Sequence, residues 1–412
     1  MLTPLSWTVV AAFGAVPIAM SGYGAFADGF TNAFFESMSG LTTTGSTVLT
    51  GLDTAPPGLL LWRALLQWLG GIGIIAAAIA ILPALGIGGM QLFRTESSDR
   101  SEKVMPRARQ IAIAVVGTYL GLTALCGILY WLAGMTAFDA VAHAFTTLST
   151  GGYSTSDASL AHWDSPAIDA IATAFMLAGA VPFVLFVKLI RRERDALRDR
   201  QVRTLLVMLG LVVLSLAAYL VATGIHGPLQ ALRYAAFNVV SVVTTTGYAN
   251  TDYGQWPIFA PLVMLFLSSF ASSSGSTGSG IKMIRAQILF KQIWRELLRT
   301  IHPRIYNPVK LSAIPLSNAT VFAVLAYVFM YATCVIALTL LLTASGLDVV
   351  SGFSAAVASL NNTGPGLGAV GPSTTYANLT DTQTWICSFA MLLGRLELFT
   401  LLVVLTPAFW RK

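Results

Sequence analysis

Apolar runs long enough to cross a bilayer recur from one end of this chain to the other, and they constrain its fold more than any other feature. They read at about 5–25, 60–90, 110–133, 167–188, 204–224, 257–289, 318–343 and 384–409, eight in all. Hydrophobic residues make up 55% of the 412 and charged residues only 10%. A soluble domain carries roughly 25% charge. So few charges cannot solvate a globular surface, and the expected class is an all-α membrane protein embedded in the lipid bilayer. The net charge of +6 raises the question of nucleic acid, but its placement answers otherwise.

Arg94–Arg109 holds five basic residues, Lys188–Arg203 seven and Lys282–Lys310 seven more. Arg411 and Lys412 close the chain, leaving only Arg63, Arg233 and Arg395 elsewhere. Basic residues concentrated in alternate connections mark the cytoplasmic side. With eight spans, both termini are then cytoplasmic, and no nucleic-acid partner is expected. Asp28, Asp53, Asp157, Asp164 and Asp252 fall on the opposite side. They act there either as a local field for cations or as an ordinary solvated surface. The first apolar stretch has no basic region before it, so no cleavable signal is expected. Cys126, Cys334 and Cys387 each sit in an apolar run and read as core-filling thiols. His143, His162, His226 and His302 have no ligand spacing, so no transition metal is expected.

Between the spans of each pair lies a shorter segment, too short to cross, that ends in a polar tripeptide and Thr-Gly. The four read FTNAFFESMSGLTTTGST, AFDAVAHAFTTLSTGGYST, PLQALRYAAFNVVSVVTTTGYAN and LDVVSGFSAAVASLNNTGPGLG. Their glycines, Gly45, Gly151, Gly247 and Gly364, are 106, 96 and 117 residues apart. A period near 100 residues divides the chain into pore units at 1–93, 94–190, 191–300 and 301–412. Each segment reads as a re-entrant half-helix and an extended loop. A helix whose C-terminus points into the membrane aims its negative dipole end there. The carbonyls that follow can replace the water shell of a cation, and glycine permits the backbone geometry required. One such loop alone would read as a helix C-cap, but four at matched positions read as a filter.

These residues carry a resemblance. ESMSGLTTTGST, TLSTGGYST, VVTTTGYAN, NNTGPG, SSSGSTGSGIK and MLLGRLELFT resemble the Trk/Ktr/HKT superfamily of potassium transporters, above all its Trk-type membrane subunits. The likeness covers nearly the whole chain. It implies four membrane–pore–membrane repeats forming a pseudo-tetrameric cation channel. It implies a filter of Thr43, Thr44 and Gly45; Ser149, Thr150 and Gly151; Thr245, Thr246 and Gly247; and Asn362, Thr363 and Gly364. In that family serine at the first filter glycine goes with sodium, so four glycines imply K+ as the transported ion, with no organic cofactor. It further implies a homodimer in the bacterial inner membrane. A cytoplasmic nucleotide-binding regulatory ring would dock on the basic loops 188–203 and 282–310. Trk-type subunits usually begin with two further helices, and this sequence starts almost at the first unit. Asn361 and Asn362 depart from the Thr/Ser of the other strands, so fewer well-defined ion sites are expected than in a true tetramer.

The run LFLSSFASSSGSTGSGIKMIR crowds Ser and Gly into mid-span, where each Gly costs roughly 1 kcal/mol relative to Ala in a helix. Irregular backbone at that depth must line a cavity or be buried in protein. Residues 268–281 read as an intramembrane gate involving Gly275, Gly278, Gly280 and Lys282; the alternative is a small-residue helix interface. Lys282 equally suits a plain cytoplasmic anchor. Gly275, Gly280 and Lys282 imitate a phosphate loop, but no Ser or Thr follows the lysine and no soluble strand precedes the segment. The sequon Asn361–Thr363 overlaps the filter and is not read as glycosylated. Arg395 lies mid-span, where a charge is costly. By resemblance it faces the pore beneath the filter as an electrostatic barrier; the alternative is an ion pair to Glu36 or Asp348. Among other functions, a proton- or sodium-coupled symporter would want a carboxylate at mid-membrane, for which Glu397 is the one clear candidate. A membrane enzyme would need a catalytic cluster at one depth, and none is seen.

Overall fold

The structure, a computed structural model, describes residues 2–27, 29–80, 104–193, 199–270, 273, 275–311 and 314–411. Asp28, residues 94–103 and 194–198 of the basic loops, and Ala271, Ser272 and Ser274 of the gate segment lie outside the described residues. The described elements run α1 Leu2–Ser21, α2 Phe30–Leu41, α3 Pro57–Ala80, α4 Val104–Leu132, α5 Ala137–Leu148, α6 Pro166–Ala180, α7 Phe183–Ile190 and α8 Arg200–Ala222. Then come α9 Pro228–Val243, α10 Phe259–Leu267, α11 Met283–Ile301, β1 Lys310–Leu311, β2 Ile314–Pro315, α12 Asn318–Ala344, α13 Val349–Asn361, α14 Asp381–Arg395, α15 Phe399–Leu405 and α16 Pro407–Trp410. The fold is an all-α membrane fold in which long helix, short helix, extended segment and return helix occur four times. The described strands are one two-residue antiparallel pair.

The short helices α2, α5, α9 and α13 have 12, 12, 16 and 13 residues. At 1.5 Å per residue they reach roughly 18–24 Å, short of the ~30 Å hydrocarbon core. Thr136 and Asp348 cap two of them by accepting from Asp139 N and Ser351 N, and Pro228 opens a third. All four end the same way, with a left-handed residue just past the last turn: Thr43, Thr150, Thr245 and Asn362.

Three return helices press a glycine onto the end of a short helix. A Cβ at Gly70 would lie 1.9 Å from Leu41 O, one at Gly179 2.8 Å from Leu148 O, and one at Gly394 1.9 Å from Leu360 O. The helices therefore approach as closely as backbone allows.

Two of the eight expected spans bend sharply, and a third is interrupted as its Ser/Gly content predicts. Among the described residues five helices are long and apolar enough to cross alone. The expected span 167–188 bends by 98° between α6 and α7. Pro182 supplies no amide hydrogen and holds Val181 extended (φ −89°, ψ 145°). The span 384–409 bends by 116° between α14 and α15, where Glu397 and Leu398 take φ of 56° and 57°. Among the described residues of 257–289, α10 and the start of α11 are helical, and Ser273 and Gly275–Lys282 are not.

Two of the basic residues outside the loops brace the short helices. Arg63 Nε is 2.8 Å from Glu36 Oε1, both wholly buried, and the guanidinium lies 4.1 Å from the Tyr153 ring centre. Glu36 also accepts from Val48 N at 3.0 Å and Thr47 Oγ1 at 2.8 Å. Arg233 Nε is 2.7 Å from Asp169 Oδ2, with Asp164 at 3.0 Å on another nitrogen. Removing one partner of a buried pair costs about 3–5 kcal/mol because the other charge is stranded. Arg63→Met should therefore lower the thermal unfolding midpoint of the detergent-solubilised chain. The double variant Arg63→Met, Glu36→Leu should regain most of the loss; a double variant no more stable than the single one would show that the pair is not the cause.

Candidate functional site

The four segments after the short helices meet, and backbone hydrogen bonds set their register. Thr44 N, Gly151 N, Thr246 N and Thr363 N each donate to the carbonyl five residues back: Ser39, Thr146, Ser241 and Ala358, at 2.8–3.0 Å. These four positions are therefore equivalent. Each is followed by a left-handed glycine: Gly45 (φ 85°), Gly152 (80°), Gly247 (86°) and Gly364 (94°). In the second segment the expected Ser149, Thr150 and Gly151 are thus one residue early; the structural counterparts of Thr43, Thr44 and Gly45 are Thr150, Gly151 and Gly152. The signal was present in the sequence, since Gly152-Tyr153 aligns with Gly247-Tyr248. The Thr-Gly motif by itself points to Gly151.

The four glycines close a ring. A Cβ at Gly45 would lie 2.2 Å from Gly151 O, at Gly152 1.8 Å from Thr246 O, at Gly247 2.1 Å from Thr363 O, and at Gly364 2.8 Å from Thr44 O. Each strand thus abuts the next through a carbonyl, and the fourth returns to the first. Any side chain larger than hydrogen would displace a ring carbonyl. Gly45, Gly152, Gly247 and Gly364 also line one open cavity with Ser46 and Asp157. Buried hydroxyls back the strands: Thr42 and Thr44 meet at 2.7 Å, Thr244 and Thr246 at 2.8 Å, and Asn362 Nδ2 donates to Thr44 Oγ1 at 2.9 Å.

The ring is chemically unequal. Gly364 O accepts from Ser46 Oγ at 3.1 Å and from Tyr376 OH at 2.9 Å. Asn361, the other fourth-strand departure, donates to Ser269 Oγ at 3.2 Å and accepts from Tyr331 OH at 3.0 Å. The irregular strand thus ties to the segment expected to gate.

That segment lies directly against the ring. Thr150 Oγ1 donates to Thr277 Oγ1 at 3.0 Å, and Ser279 N donates to Thr245 Oγ1 at 3.1 Å. The break in α6 frees the carbonyls of Gly179 and Ala180, which accept from Thr277 N and Ser273 N at 3.1 Å each. Ile281 N donates to Ser269 O at 2.9 Å and pinches the neck of the loop. Gly275 and Gly280 take φ of 84° and 76° within it. Lys282 Nζ donates to Gly278 O.

Arg395 is buried and reaches this loop. It donates to Thr277 O at 2.8 Å, Ser279 Oγ at 3.1 Å and Gly70 O at 3.0 Å. Among the described residues no carboxylate lies within ion-pair distance of it. Glu36 is held by Arg63, and Asp348 caps α13. The guanidinium therefore bridges α14, the loop and α3 through carbonyl and hydroxyl acceptors. Glu397 faces elsewhere, 2.5 Å from Arg285, whose guanidinium stacks 3.9 Å from the Tyr327 ring centre. Of the acids expected on the side opposite the basic loops, Asp157 accepts from Gly51 N and Leu52 N at 3.0–3.1 Å, and Asp53 lies 3.7 Å from His162.

A family model described as "TrkH: Cation transport protein" matches residues 6–412. The chain is 44% identical to the Trk system potassium uptake protein TrkI of Halomonas elongata, over all of this chain and 84% of the relative. It is 41% identical to the Trk system potassium uptake protein TrkH of Escherichia coli, over all of this chain and 86% of that protein. The crystal structure of the potassium transporter TrkH from Vibrio parahaemolyticus superposes with a TM-score of 0.89 at 40% identity, covering 99% of this chain and 84% of that one. A family match over nearly the whole length, together with this fold, establishes that the chain belongs to the TrkH family of cation transport proteins.

Proposed function

We propose that this chain carries K+ into the bacterial cell across the inner membrane, through a filter built by Thr43–Gly45, Thr150–Gly152, Thr245–Gly247 and Asn362–Gly364. The observation that carries the reading is the ring in which each glycine faces a carbonyl of the next strand. Carbonyl oxygens alone suit a weakly hydrated monovalent cation. The dipoles of α2, α5, α9 and α13 end at that ring and add negative potential without a titratable group. Relatives named as potassium uptake proteins support the choice of ion. On this reading the pore units divide at 1–93, 94–190, 191–300 and 301–412, both termini face the cytoplasm, and the chain works as a transporter.

Residues 268–281 are the gate in this proposal. The loop is held shut by Arg395, whose charge opposes a cation just below the ring. Gly275, Gly278, Gly280 and Lys282 supply its bends and its anchor. Opening requires the three Arg395 hydrogen bonds to exchange. The basic helix α11 follows the loop directly and offers a surface for a cytoplasmic nucleotide-binding regulatory ring; the membrane subunit is proposed to be a homodimer. Glu397, occupied by Arg285, is not offered as a proton-coupling group.

Expression in a bacterium stripped of its own potassium uptake should restore growth at low potassium; no rescue by a correctly inserted chain would sink the reading. Gly247→Ser and Gly152→Ser should each abolish rescue at the lowest potassium and admit sodium. Normal growth with Gly152→Ser would restore the Ser149–Gly151 register. In proteoliposomes, Arg395→Ala should raise rubidium tracer flux several-fold, and a folded variant with unchanged flux would remove Arg395 from the gate.

A further inference from the structure

The second filter strand lacks a side chain that the others have. The residue before the filter glycine is Thr44, Thr246 and Thr363 in three strands and Gly151 in the second. The space is taken by Gln67 of α3, since a Cβ at Gly151 would lie 2.4 Å from Gln67 Oε1. Gln67 is wholly buried. Its Nε2 donates to Gly151 O at 2.6 Å, and its Oε1 accepts from Tyr153 N at 3.0 Å. A backbone carbonyl on one side and a backbone N–H on the other fix the amide's orientation, because a flip would lose both bonds.

Repeat logic shows that this glutamine is particular to one unit. Gln67 stands three residues before Gly70, the glycine that packs on Leu41 O. Met176 and Met391 hold that place before Gly179 and Gly394, and both are wholly buried. Gln67, from the first unit, therefore reaches across to the one strand that has glycine, whereas the second and fourth units carry a thioether at the corresponding place.

Gly151 O is the ring oxygen that abuts Gly45. An N–H dipole donating to it points its positive end at the oxygen and weakens the field available to an ion. The same bond fixes the carbonyl in place. A smaller cation needs stronger, inward-moving ligands, so both effects act against sodium more than potassium. We propose that Gln67 is a selectivity-determining positioning residue, setting the strength and freedom of the Gly151 carbonyl. This rests on the filter reading above.

The test is concentration-dependent uptake of K+ and Na+ into proteoliposomes holding the full chain. Gln67→Met and Gln67→Leu both remove the donor, the first keeping the side chain's length. Each should lower the ratio of sodium to potassium half-saturation constants by about three- to tenfold, the worth of one hydrogen bond, while maximal K+ uptake moves far less. A transporting wild type with an unchanged ratio in both single variants overturns the proposal and leaves the filter intact. Failure of both variants to insert would make Gln67 purely structural and equally overturn it. A wild type that takes up no K+ removes the filter reading itself.

Discussion

Four backbone carbonyls stand where not one methyl group could be added to the facing strand, and the surrounding architecture follows from holding them there. A ring of strands has no internal hydrogen-bond ladder to define it. Its position is set from outside, by the ends of four short helices. Three of those ends are located by return helices that touch them through Gly70, Gly179 and Gly394. The buried Glu36–Arg63 pair then ties α2 to α3, and the half-buried Asp169–Arg233 pair ties α9 to α6. Such pairs add little net stability relative to apolar packing, but they are costly to break, which suits a scaffold that must keep one arrangement.

The second constraint is that lipid offers no partner for a broken helix. Pro182 and the Glu397–Leu398 bend interrupt two spans, and each break leaves polar backbone at depth. In the first case the intramembrane loop supplies the donors, so the loop and the kink satisfy one another. In the second, two non-glycine residues adopt left-handed backbone at a cost of about 1–2 kcal/mol each. Arg395 on one side and the Arg285–Glu397 pair on the other hold that bend. The loop against the ring is thus fastened by several hydrogen bonds and two buried cations, Arg395 and Lys282, a small set of contacts that can exchange together.

Much of this was legible in the residues. The class of protein, the four pore segments and the Ser/Gly loop all follow from hydropathy, spacing and composition. The departures at Asn361 and Asn362 were visible too, though not their partners Ser269, Tyr331 and Thr44. Harder to read was the second strand, where two adjacent glycines left the register open by one residue. The i to i−5 hydrogen bonds of the helix ends decide it, and they exist only once the helix has stopped. The bend at Glu397 carries no proline or glycine at its centre, so no local propensity announces it.

The sequence by itself determined the pattern: eight apolar runs, four turns into the membrane, and a basic side, because hydropathy and charge are summed over many residues and tolerate local error. Only the tertiary structure decided which glycine of the second strand joins the ring, which carbonyls are already engaged, and that Arg395 meets the loop and not a carboxylate. Those facts depend on contacts of 2–3 Å between residues as far apart as Gly70 and Arg395. No periodicity along a chain encodes such distances, because they are fixed by how four unequal units close around one axis.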